Sequence, residues 1–273
     1  YIDNPDLLKV KTIHGFCEEI LHRFPLEAGI SPSWSLVSDS AQRVLLQDSF
    51  SELINNGGQD TTVLPAFFHL VNRVSENYLD ELLMELSEQY KNFFGIENIV
   101  NYREYFIDTI KDLLKLKTKK SYETTVEKLQ NIIKCAQEEK ESIKKPAKYF
   151  DTIINNTKKF IDNTIDFEEY KNTYLTSTGH IDSKLLKKDY LTDEAERVYE
   201  LNQQNINQTI FDDTVAMFDL SVAFATEYKK IKRARNLLDF EDLILYTRKL
   251  FSNRATMGWV LSQLDLSLSH ILV

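Results

Sequence analysis

The sequence predicts a mainly α protein, a multi-helix bundle with short β pieces at its two ends, on three observations. Glycine and proline are scarce, at 7 and 5 of 273 residues, where average usage would be roughly 12% of the chain. No glycine falls between Gly179 and Gly258 and no proline follows Pro146, although a β sandwich or barrel needs such punctuation every ~8–12 residues. Apolar side chains recur at steps of three and four through most of the chain, the period of a helix with one buried face.

The elements follow in order. Leu8, Val10 and Thr12 alternate with Lys9 and Lys11, a short strand pattern. Phe16, Cys17, Ile20, Leu21 and Phe24 then mark a helix that stops at Pro25, with a loop over residues 26–32. Trp34-Ser35-Leu36-Val37 reads as a second short strand. Residues 38–40 offer an N-cap for a helix running to Asn55-Asn56-Gly57-Gly58. Pro65 falls in the first turn of a helix over residues 62–74, where proline is tolerated.

Phe106, Ile107, Ile110, Leu113 and Leu114 make one apolar stripe, and Val126, Leu129, Ile133 and Ala136 another. Pro146 and Thr176-Ser177-Thr178-Gly179-His180 are the expected breaks. Phe211, Val215, Phe218, Val222 and Ala225 belong to a helix of more than 35 residues starting near Leu191, the expected spine. Near the end, Leu266 and Leu268 alternate with serine before Ile271-Leu272-Val273. That pattern reads as the start of a buried parallel strand, or else as a helical tail.

Charge and composition narrow the function classes. With 33 Lys and Arg against 42 Asp and Glu, the net charge is −9, so a basic coat for nucleic acid is excluded while a local basic face is not. The acidity is uneven: residues 1–99 carry 6 basic and 15 acidic groups, residues 100–190 carry 18 and 15, and residues 191–273 carry 9 and 12. Cys17 and Cys135 form no disulfide framework, which fits a reducing cytoplasm. No stretch of ~18 apolar residues suits a membrane. Neither a Gly-x-Gly-x-x-Gly nor a Gly-x-x-x-x-Gly-Lys phosphate loop is present. His14, Cys17 and His22 could face one way along a helix, but they lack a fourth partner, so no metal site is expected.

Two local patterns carry chemistry. Thr12-Ile13-His14-Gly15-Phe16-Cys17 gathers a hydroxyl, an imidazole and free backbone amides at a helix start, which suits a phosphate oxygen. A plain Thr12 N-cap beside a half-buried His14 is the other reading. Asp239-Phe240-Glu241-Asp242-Leu243 places two carboxylates three apart. Asp239 as N-cap with Asp242 at the third helical position is a capping box, and that structural reading outweighs an acid–base role. The preceding Lys229-Lys230-Ile231-Lys232-Arg233-Ala234-Arg235 puts five cations at the end of the long helix, where they complement its dipole or line a phosphate track.

Together these residues resemble the UvrD/RecB-like superfamily 1 DNA helicases. Thr-Ile-His-Gly-Phe-Cys followed by Phe24-Pro25-Leu26-Glu27-Ala28-Gly29 looks like their motif Ib region. Tyr228, Lys232 and Leu238-Asp239-Phe240-Glu241-Asp242-Leu243-Ile244 look like the segment before motif II. Trp259-Val260-Leu261, Leu264-Asp265 and His270-Ile271-Leu272-Val273 are similar to the lead-in to the Walker B strand. Asn236 stands where that family often has glycine.

The resemblance implies a RecA-like motor remnant over residues 1–15, a helical 1B-type insertion over 16–252, and a second motor remnant over 253–273. It implies that Thr12, His14 and Phe16 floor the single-stranded DNA channel, that Lys232, Arg233 and Arg235 contact DNA, and that Asp239 and Asp242 serve as caps. A parent protein would then be a cytoplasmic ATP- and Mg-dependent helicase acting on single-stranded and duplex DNA. It would have a nuclease domain elsewhere and would work with a partner subunit. Its phosphate loop would lie upstream of residue 1 and its Walker B carboxylates beyond Val273. These 273 residues alone would bind no cofactor and have no ATPase activity. The rival reading, from acidity and amphipathic helices alone, is a helical protein-interaction module with no nucleic-acid role.

Overall fold

The computed structural model describes residues 11–56, 63–73, 78, 81, 99–117, 124–143 and 148–264. The expected strand at Leu8 and Val10 and the apolar tail after Asp265 lie outside the described residues. The rest is mainly α with one two-stranded parallel sheet. The chain divides into two compact units, one made of residues 1–99 and 215–273, the other of residues 100–214.

In the first unit, α1 (Ile13–Arg23) starts because the Thr12 hydroxyl accepts from the Gly15 amide at 3.1 Å, satisfying one of the four orphan N–H groups of a helix start. Its apolar face buries Cys17, Ile20 and Leu21. The sequence reading put a loop after Pro25, but a single turn of helix, α2 (Pro25–Ala28), forms there. Proline suits its first position, and Gly29 at φ 73° closes it in the left-handed conformation.

Strand β1 (Ser35–Leu36) pairs in parallel with β2 (Leu237–Leu238), in the register Ser35 to Leu237 and Leu36 to Leu238. Ser35 donates to the Asn236 carbonyl at 3.0 Å and Val37 to Leu238 at 2.9 Å. Helix α3 (Asp39–Asn56) follows, with the Ala41 amide donating to the Ser38 hydroxyl at 3.4 Å. In α4 (Val63–Val71), Pro65 occupies the first turn and Val63, Ala66 and Leu70 are buried.

In the second unit, α5 (Ile99–Leu113), α6 (Val126–Ser142), α7 (Lys148–Ile161) and the short α8 (Phe167–Lys171) come in succession. Thr125 caps α6 and Asp166 caps α8 through their side chains. Leu129, Ile132, Ala136, Phe150, Ile153, Tyr170, Tyr174 and Leu191 form the core; a large apolar side chain contributes about 1.5–3 kcal/mol on full burial. The expected stripes are partly wrong here. Val126 and Leu113 are exposed, and Ile132 rather than Ile133 is the fully buried position. The break at residues 176–180 is a tight hairpin, with Leu175 bridged to Ile181 and Gly179 at φ 78°.

Helix α9 (Asp189–Ala234) is 46 residues long and supplies core side chains to both units. Of the stripe expected from Phe211, Val215, Phe218, Val222 and Ala225, only Phe218 is fully buried, while Ala225 packs against the first-unit core from its side. The buried row is Ala216, Leu220, Phe224 and Tyr228, stepping by four against Leu45, Leu53, Ala66 and Leu70. Small Ala216 and amphipathic Tyr228 carry little hydropathy, so the pattern points to the wrong edge of the face. After β2 come α10 (Phe240–Ser252) and α11 (Arg254–Gln263), the latter capped by Asn253.

Candidate nucleic-acid interface

Both motifs singled out in the sequence lie in the first unit, and they meet. The His14 ring stands edge-on to Phe240, centroids 5.3 Å apart at 88°. The β1–β2 pairing delivers Asp239 to the start of α10 directly after Leu238. A helix start from near residue 12 and one from near residue 240 thus come side by side.

The expected DNA contacts separate by environment. Thr12 is exposed at the α1 start with its hydroxyl engaged in the cap. His14 is half-buried against Phe240. Phe16 is half-buried and packs against two core clusters, one containing Cys17 and Leu21, the other Ile20 and Leu250. Gly15 is closely set, since a Cβ there would lie 3.3 Å from the Thr12 hydroxyl.

Lys232 departs most from expectation. It is only 2% exposed, and its ammonium donates to Asp239 Oδ2 at 2.7 Å and Asp242 Oδ2 at 2.5 Å. It also lies 4.6 Å from the centre of the Tyr228 ring. Two of its three ammonium protons therefore go to buried carboxylates, and the ammonium itself lies away from the surface. The two carboxylates complete the reciprocal cap: Asp242 N donates to Asp239 Oδ1 at 2.9 Å, and Asp239 N to Asp242 Oδ2 at 3.0 Å. The Tyr228 hydroxyl donates to Asp239 Oδ2 at 3.1 Å.

Burial raises the pKa of Asp242 above the ordinary carboxylate range, with Lys232 opposing and the Asp239 charge adding to the rise. Burial, then the charge of Asp239, likewise raises that of Tyr228. Four side chains from α9, the β2 end and α10 therefore form one closed polar lock. Its sequence signal was present in the spacing of Tyr228 and Lys232, one helical turn apart, but the burial was not.

Of the other cations, Arg235 is exposed and pairs with Asp48 at 3.2 Å. Lys230 pairs with Glu227 at 3.0 Å. Arg233 is exposed. Asn236 adopts φ 53°, the left-handed conformation that glycine and asparagine tolerate best, which accounts for the residue type at the turn between α9 and β2.

The sequence has no phosphate loop, and among the described residues no group of three or more His, Cys, Asp or Glu side chains could hold a metal ion. Nor, among the described residues, is any helix long and apolar enough to cross a membrane.

Comparison with known proteins decides the family: residues 3–273 match the UvrD/REP helicase N-terminal domain. The chain belongs to that family. Its similarity to curated relatives, each of them a subunit of an ATP-dependent helicase/nuclease, is distant but extended. It is 23% identical over 278 residues to the relative from Staphylococcus haemolyticus, covering 86% of this chain and 22% of the relative. The relative from Enterococcus faecalis is 23% identical over 292 residues, covering 93% and 23%. That from Listeria welshimeri is 25% identical over 282 residues, covering 86% and 22%. The chain therefore spans less than a quarter of the length of these relatives.

Proposed function

We propose that this chain is the DNA-channel side of the first motor domain of an AddA-like, ATP-dependent DNA helicase acting in double-strand-break repair and recombination. The observation that carries the reading is the UvrD/REP match from residue 3 to residue 273. In this reading residues 16–252 are the helical 1B-type insertion, flanked by motor remnants at residues 1–15 and 253–273. Thr12 and His14 approach single-stranded DNA at the start of α1, where exposed amides and the positive end of the helix dipole favour a phosphate. Phe16 holds that helix start in place through the core it joins.

Mg and ATP are used by the gene product outside these residues, in cytoplasmic work with an AddB-like partner, and its nuclease activity belongs to a separate domain. The rival interaction module without a nucleic-acid role draws no support from the family match.

The test replaces Thr12 and His14 together by alanine in the full-length gene product and measures single-strand-stimulated ATP hydrolysis. Stimulation should fall by on the order of tenfold, the effect of losing about 1.4 kcal/mol of contact. Stimulation equal to the parent's refutes the contact.

A further inference from the structure

The cations at the end of α9 sort by partner. Lys230 is held by Glu227, Arg235 by Asp48, and Lys232 by the two buried aspartates. Arg233 pairs with no carboxylate among the described residues, and neither does Lys249 of α10. These two line the same cleft of about 380 Å³, together with Glu27, Gly29, Tyr246 and Asn253. That volume falls in the usual range for ligand sites, roughly 300–1,000 Å³.

Each cation sits in the last turn of its helix, where it complements the dipole. That role asks for one cation per helix, not for both in one cleft. Glu27 is the single carboxylate lining it, so the side-chain charge of the wall is positive. The surplus is felt nearby: burial and then Arg233 hold the Lys229 ammonium below its ordinary range, with Lys249 and Lys232 adding repulsion and Asp242 opposing. Asn253 uses its side-chain oxygen to cap α11, which leaves its amide nitrogen as the donor for a ligand. Gly29, which also lines the cleft, presents no Cβ, and one added there would meet nothing within 4 Å, so the space beside it is open.

We propose that this cleft binds the phosphodiester backbone of DNA, with Arg233 and Lys249 on neighbouring phosphates. The planar Arg233 fork suits two oxygens of one phosphate, and Lys249 acts as a point charge on the next. The assignment rests on the DNA-helicase reading above and replaces Lys232 and Arg235 as the contacts of the basic run.

The experiment uses the full-length gene product, without nucleotide, and the fluorescence anisotropy of a labelled oligothymidylate and of a labelled blunt duplex. Affinities are taken over about 50–200 mM salt, because each phosphate contact contributes roughly 0.9 to the salt slope on duplex and 0.7 on single strands. Replacing Arg233 and Lys249 together by glutamine should weaken binding of at least one probe by tenfold or more. Its slope should become shallower by roughly 1.4–1.8, two contacts' worth. Lys230→Gln, which removes a cation paired away from the cleft, should bind as the parent does. The single charge reversal Lys249→Glu gives the same readout should the double variant melt early. A double variant with the parent's affinity and slope on both probes overturns the cleft assignment alone. A parent that binds neither probe overturns the assignment and the DNA-helicase reading together.

Discussion

Replacing Lys232 by methionine keeps most of the side-chain volume and removes one charge from the lock. Lys232, Asp239 and Asp242 are all within 3% exposure, so solvent screening does little for what remains. The parent holds one cation against two carboxylates; the variant leaves two buried carboxylates facing each other. Removing one partner of a buried pair costs about 3–5 kcal/mol. The reciprocal cap between Asp239 and Asp242 survives through its backbone donors, which places the expected loss near the lower figure, about 3 kcal/mol. For a chain of this length that is a drop of roughly 6–12 °C in Tm at neutral pH.

Acid should relieve the defect, because a carboxylate that takes up a proton no longer repels its neighbour. Thermal unfolding followed by circular dichroism at about pH 7.5 and pH 5 checks both parts. A variant that melts with the parent at neutral pH, or whose deficit is the same at both values, refutes the reasoning.

Three further outcomes are expected. Asp242 has a folded pKa above its unfolded one, so between those two values the native state binds more protons and stability falls as pH rises. Asp242→Asn should flatten that slope while keeping an oxygen for the Asp239 amide, as read from Tm against pH. Asn236→Ala places a Cβ-bearing residue without a polar side chain at φ 53° and should cost about 1–2 kcal/mol in denaturant unfolding, whereas Asn236→Gly should stay within about 1 kcal/mol of the parent. In the second unit, Glu194 accepts from Arg197 at 2.6 Å and from the Tyr170 hydroxyl at 3.0 Å, and is 6% exposed. Glu194→Ala should destabilise by about 3 kcal/mol in the same assay, while Tyr170→Phe, which leaves the ion pair intact, should cost about 1 kcal/mol.

What could be read from the sequence was mostly local. The caps at Thr12 and Asp239 depend on residues three apart, the break at Pro25 on one residue's fixed φ and missing N–H, and that at Gly179 on one residue's backbone freedom. The same locality explains the errors. The buried row Ala216, Leu220, Phe224 and Tyr228 is hidden because its end members are small or amphipathic. The α2 turn is shorter than any periodic window. Lys232 looked like one more surface cation because its burial depends on β1 meeting β2, a pairing between Leu36 and Leu238 that no local pattern announces. Lys249 escaped notice for a similar reason: it is an ordinary helix-ending lysine until the fold sets it across from Arg233.

The central claim is that the chain works within a DNA-tracking motor. The most direct measurement is ATP-dependent translocation by the full-length gene product along single-stranded DNA labelled at one end or the other. The expected result is hydrolysis stimulated by single strands, with movement biased in one direction along the strand. ATP turnover indifferent to DNA, or no movement in either direction, contradicts it.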